Sequence, residues 1–480
     1  MGTDENYLLS LRESETVEIK EAFEKIPLSF YESYCAMANG SGGTIYLGIA
    51  ESEPQNIIKG VQNAPQKIKQ LCSTLTLKSK IANNDFKESD VSIIKTSSGD
   101  VIAIRVKPVP IDQRPVYLNG DPTVSYKRVG DCDKLLDEDE IRGMVNDSSK
   151  VRFDQRPNIF GIGFDDLDPY AVERFVSLAK VTRRISSVET MSAQQILARI
   201  GAITIDPETK KEVATNGGVM FFGKSVGISA ICPSLWMDYC EKEDDNDRFS
   251  FRITNRDLDH EPNMFSFFER VDRRLFEVLP SPFHVGSGGR NDGKTIVHEI
   301  VREALANSIS NLETGSSTGL LIERRGKSLR FKNAGGMLTG LTQALRGGVS
   351  KPRNQCVFTF FLAIGITDHG GYGVPAIFDK MRELGMVEPH LEESFGRDET
   401  TLHLVFSRVG SELSKEEKHA LLFLAEHPLG TSSSDLAQCL GVSRDTARRI
   451  LLGLTEKGEV KDNGKQNKGR LYFAKDSNLD

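Results

Sequence analysis

A predicted helix near residue 300 carries a row of polar side chains that could bind a ligand. The row recurs at intervals of four residues, so its members share one helical face: Glu299, Glu303, Asn307 and Asn311. An apolar row of the same spacing runs beside it: Val297, Val301, Leu305 and Ile309. Taken alone, the polar row is best interpreted as a solvated face. Its interpretation therefore depends on the segments that follow.

Three glycine-rich or basic segments come after this helix. They are Asn333-Ala-Gly335-Gly336, Ser350-Lys-Pro-Arg353-Asn354 and Gly371-Tyr-Gly373. Glycine turns let backbone amides approach phosphate groups closely. A literal P-loop match also occurs at Gly288–Thr295, but two prolines replace the buried strand that a P-loop requires before it. We interpret that match as coincidental.

The run REALANSISN, NAGGMLTGLT, SKPRN, GGYGVPAI resembles the RecG-related C-terminal ATPase-like domain of the GHKL superfamily. The resemblance implies ATP or ADP with Mg²⁺ as ligand. By this resemblance Glu303 would orient water as a general base and Asn307 would hold Mg²⁺. The remaining implied nucleotide contacts are Gly335 and Gly336 at the adenine, Gly371 and Gly373 over the phosphates, and Arg353 at a phosphate.

One position departs from the pattern of active GHKL proteins. Asn333 stands where they usually carry an aspartate that accepts the adenine amino hydrogen. An amide oxygen accepts a hydrogen bond less strongly than a carboxylate does. The sequence therefore predicts nucleotide binding more strongly than it predicts efficient hydrolysis.

The N-terminal segment ESETVEIK is followed by Ala38-Asn39-Gly40, the strand-like GTIYLGI, and the pieces Arg114-Pro115 and YKRVG. Together they resemble the AlbA-like domain of the Schlafen type over residues 10–145. In some members of that family a metal-dependent nuclease site is formed by acids that match Glu13, Glu18 and Glu51. Clustered carboxylates can hold Mg²⁺ or Mn²⁺ against a phosphate.

Two features of this segment leave an alternative open. Ala50 stands where an aspartate is common, and Glu13 and Glu18 would lie on opposite faces of a straight strand unless the chain bends near Ser14. The alternative is nucleic-acid binding without cleavage, with Arg128 as a contact. One acid would then pair with Lys20 or Arg128.

The last 65 or so residues predict three helices and a hairpin, at about 415–427, 433–440 and 443–457. The turn before the third helix ends at Ser443, which can cap it, and the helix would bury Ala447, Ile450, Leu451 and Leu454. Its outward side chains would be Arg444, Arg448 and Arg449, and the hairpin tip adds Lys465 and Lys468. The unit resembles bacterial winged-helix regulators, in which such a face contacts DNA.

Composition limits the remaining possibilities. The chain has 480 residues, a net charge of −7 and seven cysteines, none in a CxxC pair. The acidic total confines any nucleic-acid site to a local basic surface. The longest apolar run, residues 358–366, is shorter than the roughly 20 residues of a membrane helix, so we predict a cytoplasmic protein.

We predict an α/β and α+β multidomain protein with an AlbA-like domain, a GHKL (Bergerat-type) α/β sandwich and a C-terminal winged helix-turn-helix. The predicted boundaries are 1–148, 149–290 for a connecting mixed α/β region that includes an apolar strand GGVMFFG, 291–408 and 412–476.

The function predicted is a nucleotide-responsive regulator that binds nucleic acid, specifically a DNA-binding transcriptional regulator. DNA is favoured over RNA as the partner, and a homo-oligomer is expected. A first alternative is a Schlafen-like ribonuclease acting on tRNA or another RNA in phage defence. A second is an oligomeric scaffold that has lost its ligand.

Overall fold

The computed structural model describes residues 2–242, 249–279, 292–316, 318–368, 370–394, 398–407, 414–427, 430–457, 459–465 and 470–474. The chain divides into two compact units, one of residues 1–150 with 394–399 and one of residues 151–393 with 400–480. The first division lies close to the predicted boundary at 148. The chain is a mixed α/β protein throughout.

The first unit alternates strands and helices. Its elements are α1 (Gly2–Ser10), β1 (Val17–Lys20), α2 (Ser29–Asn39), β2 (Gly43–Leu47), β3 (Ile49–Ala50), β4 (Ile57–Ile58), α3 (Ala64–Leu75), β5 (Ile81–Ala82), β6 (Val91–Thr96), β7 (Gly99–Val106), β8 (Tyr117–Leu118), β9 (Tyr126–Val129), β10 (Cys132–Leu135) and α4 (Glu138–Ser148). A four-stranded sheet has the order β1-β2-β7-β6, with β1 parallel to β2.

The Ala38-Asn39-Gly40 motif has a structural role in this unit. The Asn39 side chain accepts a hydrogen bond from Val116 N at 2.7 Å and donates to Tyr126 O at 3.0 Å. Because both partners lie far along the chain, one buried amide fixes the end of α2 against β9.

The second unit begins with a helical region. Its elements are α5 (Pro169–Thr182), α6 (Ala193–Ile200), β11 (Ile203–Ile205), β12 (Glu212–Ala214), α7 (Asn216–Phe222) and α8 (Ser225–Ile231). The predicted strand GGVMFFG is wrong, since these residues form α7. Thr215 Oγ1 caps that helix by accepting from Gly218 N at 3.0 Å. Every residue of α7 is buried, and a helix that is apolar on all sides has no periodicity to reveal it.

A sheet domain follows. Its elements are β13 (Met237–Lys242), β14 (Phe251–Thr254), α9 (Met264–Val278), α10 (Asp292–Asn311), β15 (Leu320–Arg325), β16 (Ser328–Ala334), α11 (Leu341–Arg346), α12 (Gln355–Ala363), α13 (Gly373–Glu383), β17 (His390–Ser394) and β18 (Glu399–Val405). The strand order is β14-β13-β15-β16-β18-β17.

The boundary predicted at residue 290 falls inside this domain. β13 and β14 precede that residue, yet β13 pairs with β15 in the same sheet over 237–242. Apolar side chains of α9, α10, α12 and α13 form one core with the inward faces of the strands, as a sheet covered by helices requires. The acidic run between β13 and β14 hides this continuity in the sequence.

The last part of the second unit is called the C-terminal unit below. It contains α14 (Lys415–Glu426), α15 (Ser433–Leu440), α16 (Arg444–Glu456), β19 (Val460–Asp462) and β20 (Tyr472–Ala474). β19 and β20 form the expected antiparallel hairpin. Ser443 caps α16 by accepting from Thr446 N at 3.2 Å, as predicted. In the part of the chain that the structure describes, no helix is long and apolar enough to cross a membrane.

Candidate functional site

The face of α10 that looked ambiguous in the sequence borders a cavity. The apolar row is fully buried in the core, which turns the neighbouring row toward the cavity. Glu303, Asn307 and Asn311 line it, and Asn307 Nδ2 donates to Glu303 Oε1 at 3.1 Å. Glu299 lies outside and forms an ion pair with Lys380 at 2.8 Å.

Glu303 has an unusual ionisation. Burial raises the pKa of its carboxyl group to about 7, the charge of Asp368 raises it further, and the hydrogen bond from Asn307 opposes the increase. A carboxyl group with this pKa exchanges a proton near neutral pH. It can therefore accept a proton from a water molecule, which is the chemistry expected of a general base.

Asn333 faces the same cavity from β16. Its side chain is 6% exposed, and Oδ1 is buried without a hydrogen-bond partner among the described residues. A buried polar atom is normally paired, so an orphaned acceptor at a cavity wall indicates a place for a ligand donor. This is the position at which the ATPase resemblance implies contact with the base.

The glycine segments close the cavity because side chains would not fit there. A Cβ at Gly373 would lie 2.1 Å from Glu303 Oε1 and 3.0 Å from Asn307 Nδ2. Gly371 has a φ of +70°, and a Cβ there would lie 2.3 Å from Val349 O. The segment around Gly371 therefore rests directly on the segment around Val349.

Arg353 has a structural role beside the cavity. It is 8% exposed, and its guanidinium donates to Asn311 O at 2.8 Å and to Gly336 O at 3.0 Å. A Cβ at Gly335, where φ is +92°, would lie 2.3 Å from Arg353 Nη1. Arg353 therefore joins the end of α10 to the glycine turn after β16, and its predicted phosphate contact stays a prediction.

The cavity includes residues that the sequence did not single out. Its volume is about 140 Å³, and its walls include Lys351, Asp368 and Thr400. Thr400 Oγ1 donates to Gly335 O at 2.9 Å, and Asp368 pairs with Arg184 at 2.6 Å. Lys351 was detectable, because it lies inside the SKPRN motif. Asp368 and Thr400 reach the cavity only through the tertiary fold, so no signal in the sequence pointed to them.

The three N-terminal acids are near one another. The chain turns back where Ser14 N donates to Val17 O at 3.0 Å, which supplies the bend that the spacing required. Burial raises the pKa of Glu13, and the charges of Glu18 and Glu51 raise it further. Among the described residues, however, no group of three or more His, Cys, Asp or Glu side chains is arranged to hold a metal ion.

Glu18 and Arg128 form the centre of a buried ionic network. Glu18 pairs with Lys20 and with Arg128, and Arg128 also pairs with Asp133 at 2.9 Å. Ser33 Oγ lies 2.6 Å from Asp133 Oδ2 and 3.2 Å from Glu18 Oε1. The Arg128 side chain is 1% exposed. Arg128 is thus engaged by carboxylates within the protein, which does not support its predicted contact with nucleic acid, and the carboxylate of Glu18 is engaged by two cations.

The arginines of α16 lie where the sequence placed them. Arg444, Arg448 and Arg449 are exposed, whereas Ala447, Leu451 and Leu454 are buried. None of the three arginines forms an ion pair with another described residue. Lys465 is exposed at the hairpin, and Lys468, like residues 288–291 of the P-loop match, lies outside the described residues.

The first helix of the C-terminal unit packs on the sheet domain. Glu426 at the end of α14 forms an ion pair with Arg330 of β16 and lies 3.2 Å from His403 Nε2 of β18. Burial, together with the charges of Arg330 and His390, lowers the pKa of His403 to about 3, so its ring is neutral. Apolar side chains continue the contact: Val387, Val405, Ala425 and Leu422.

Comparison with known proteins confirms both resemblances. Residues 13–137 match the family "Schlafen, AlbA_2", residues 142–238 match a domain of unknown function (DUF8451), and residues 322–404 match "Putative ATP-dependent DNA helicase recG C-terminal". Two separate parts of the chain thus match a Schlafen AlbA_2 domain and a RecG-type ATPase-like domain. This pair of domains indicates a nucleic-acid-binding protein. None of these matches extends into the C-terminal unit.

Two solved structures match the chain. The DIP2311 protein from Corynebacterium diphtheriae is 16% identical, with 96% of this chain and 95% of that chain covered and a TM-score of 0.41. The N-terminal domain of a RecG-related protein from Nitrosomonas europaea is 22% identical, with 28% and 92% covered and a TM-score of 0.21. No curated protein matches the chain.

Proposed function

We propose that the protein is a regulator that binds DNA through its C-terminal unit and changes that binding when a nucleotide occupies the cavity on the sheet domain. The observation that carries this proposal is the placement of two sites on two neighbouring strands. On one face β16 and β18 contribute Asn333 and Thr400 to the cavity. On the other, Arg330 and His403 hold α14.

The nucleotide proposed is ATP or ADP with Mg²⁺. Asn333 offers an unpartnered acceptor to a base, while Glu303 and Asn307 stand beside the glycines that would border phosphates. Asn307 Oδ1 and Glu303 fit a Mg²⁺ ion, since hard cations prefer oxygen ligands. When bound, the ion would neutralise phosphate charge. Glu303 would orient and deprotonate water, although we propose hydrolysis only as a secondary activity.

The cavity is small for a whole nucleotide. Its volume of about 140 Å³ lies below the roughly 300 to 1,000 Å³ of common small-molecule sites. The glycine segments that touch at Val349 and Gly371 would therefore move apart on binding. Such movement is the local change that could be passed to β16 and β18.

The DNA contact proposed is the exposed face of α16. The unit has the helix, helix and hairpin order of a winged helix, with Thr431 bridged to Tyr472 at the base of the hairpin. Three arginines that form no ion pair with another described residue lie on a capped helix, and such a face suits phosphates and guanine edges in a major groove. A role in transcription regulation and a homo-oligomeric state belong to the same proposal.

The ribonuclease alternative has less support. A metal site built on Glu13, Glu18 and Glu51 would require Glu18 to leave Lys20 and Arg128, and breaking a buried ion pair costs about 3 to 5 kcal/mol. The residues present therefore do not fit the metal ion that this reaction would need.

Coupling is tested with fluorescence anisotropy on a labelled random-sequence duplex, with and without Mg-ATP. For the wild-type chain we expect ATP to change DNA affinity by a factor of roughly 5 to 150, the usual range of allosteric coupling. Glu426→Gln should bring that factor toward one while leaving ATP affinity intact, because it weakens the contact between α14 and the sheet.

The matched control is Glu388→Gln. Glu388 also pairs with α14, through Lys418 at 3.3 Å, but both side chains are more than 40% exposed. This variant should retain the wild-type factor, since exposed pairs contribute little. A wild-type chain whose DNA affinity ignores ATP, or a Glu426→Gln chain that keeps full coupling, contradicts the proposal.

A further inference from the structure

Neither the acceptor nor the donor of the Asn333 side-chain amide forms a hydrogen bond with another described residue. Oδ1 is buried and unpartnered among the described residues, and Nδ2 donates to none of them. The side chain is 6% exposed and lines the cavity. A buried asparagine usually has its acceptor and donors satisfied, so both groups here are available to whatever fills the cavity.

The neighbouring amide shows the contrast. Asn311 lines the same cavity, but its Nδ2 donates to Asn307 O at 2.9 Å and its Oδ1 accepts from Arg353 N at 3.3 Å. Thr400 Oγ1 already donates to Gly335 O. Of the two amides, Asn333 is therefore the one whose acceptor and donors are both available to a base edge.

A carboxamide and a carboxylate differ in what they can recognise. A carboxylate only accepts hydrogen bonds, so it suits the 6-amino group of adenine and repels the 6-oxo group of guanine or hypoxanthine. A carboxamide has an acceptor and a donor that exchange places when the group rotates by half a turn. In one orientation it pairs with a 6-amino group and N1, and in the other with a 6-oxo group and N1–H.

We propose that Asn333 makes the cavity accept both 6-amino and 6-oxo purine nucleotides. The inference rests on the proposed nucleotide function and names its ligand class as purine nucleotides without selection at position 6. Either base satisfies both ends of the amide, so neither orientation leaves a buried polar group unpaired.

The test is calorimetric titration of the full chain with Mg-ATP and Mg-ITP. Inosine is chosen because it has the 6-oxo group and N1–H but lacks the 2-amino group, so the comparison isolates position 6. We expect the wild-type dissociation constants to agree within about threefold. Asn333→Asp should retain ATP and lose ITP by at least roughly tenfold, because two acceptors would then face each other in a buried site.

Asn311→Asp is the matched control. It adds the same charge to the same cavity at an amide already used by the protein, so it should alter both affinities by a similar factor and leave their ratio near one. Circular dichroism confirms that each variant is folded. If Asn333→Asp does not fold, the wild-type ratio of ATP to ITP still decides the inference.

The outcomes separate the two claims. A wild-type chain that binds ATP at least tenfold more tightly than ITP overturns the lack of selection and leaves the proposed nucleotide site standing. A chain that binds neither nucleotide at millimolar concentration removes the nucleotide site itself. An Asn333→Asp chain with an unchanged ratio shows that another group reads the base.

Discussion

At the scale of single residues, Glu303 gives the clearest measurable property. Burial raises the pKa of its carboxyl group to about 7 from an ordinary value of 4.5. Between these pH values the folded chain binds more protons at this site than the unfolded chain does. The contribution of Glu303 to stability therefore falls as pH rises from about 4.5 to 7, and above that range its full cost remains.

Replacing Glu303 by glutamine should remove this dependence. The amide oxygen can still accept from Asn307, but no charge is buried. We expect the gain in unfolding free energy of Glu303→Gln over wild type to be larger at pH 8 than at pH 5, by up to about 3 kcal/mol. Urea unfolding at the two pH values measures it, and parallel pH profiles for the two chains would contradict it.

Sequence reasoning worked best for residues on one regular helix. Glu303 and Asn307 could be placed because their spacing fixes their face and the apolar row fixes which face is buried. Arg353 and Arg128 could not. In the sequence, a buried arginine that donates to carbonyl groups or carboxylates cannot be told from an arginine that binds phosphate. Only the fold distinguishes the two.

At the scale of elements, two glycine segments and one helix face form the cavity. Gly373 begins α13, and the space beside it is filled by Glu303 and Asn307. The elements themselves were largely predictable, since most helices and strands follow apolar periodicity. The exceptions are α7, β13 and β14. All of α7 and almost all of β13 are buried, so neither segment shows the alternation of apolar and polar residues that identifies an element in the sequence.

Gly373→Ala should weaken nucleotide binding without unfolding the chain. Its Cβ would lie 2.1 Å from Glu303 Oε1 and displace that carboxylate from the cavity, so we expect Mg-ATP to bind at least roughly tenfold more weakly. Calorimetric titration with Mg-ATP measures the loss. Gly315→Ala is the control, because its Cβ would meet no atom within 4 Å. Equal affinities for the two variants would show that the cavity is not the binding site.

At the scale of the whole molecule, the basic face of one helix contrasts with the net negative charge of the chain. The chain carries a net charge of −7, yet α16 presents three arginines without described ion-pair partners. An acidic protein that binds DNA through such a face should do so with a marked dependence on salt, because each phosphate contact releases counterions. Composition alone indicated that such a site must be local.

The double substitution of Arg448 and Arg449 by alanine tests this surface. We expect weaker binding to duplex DNA and a slope of log K against log salt that is shallower by about 1.8, or 0.9 for each lost phosphate contact. Arg183→Ala is the control, since Arg183 is exposed elsewhere and pairs with Glu189 at 2.8 Å. Unchanged affinity and slope in the double variant would favour the scaffold interpretation.

The alternation of side chains along β16 determines how insertions in this strand should behave. Arg330 and Asn333 are an odd number of positions apart on one pleated strand, so they point to opposite faces. Inserting a single residue between Gly326 and Arg330 would shift the register and exchange the two faces of the strand. Insertion of one residue ahead of Arg330 should therefore abolish both ligand recognition and attachment of α14, whereas point substitutions can separate them.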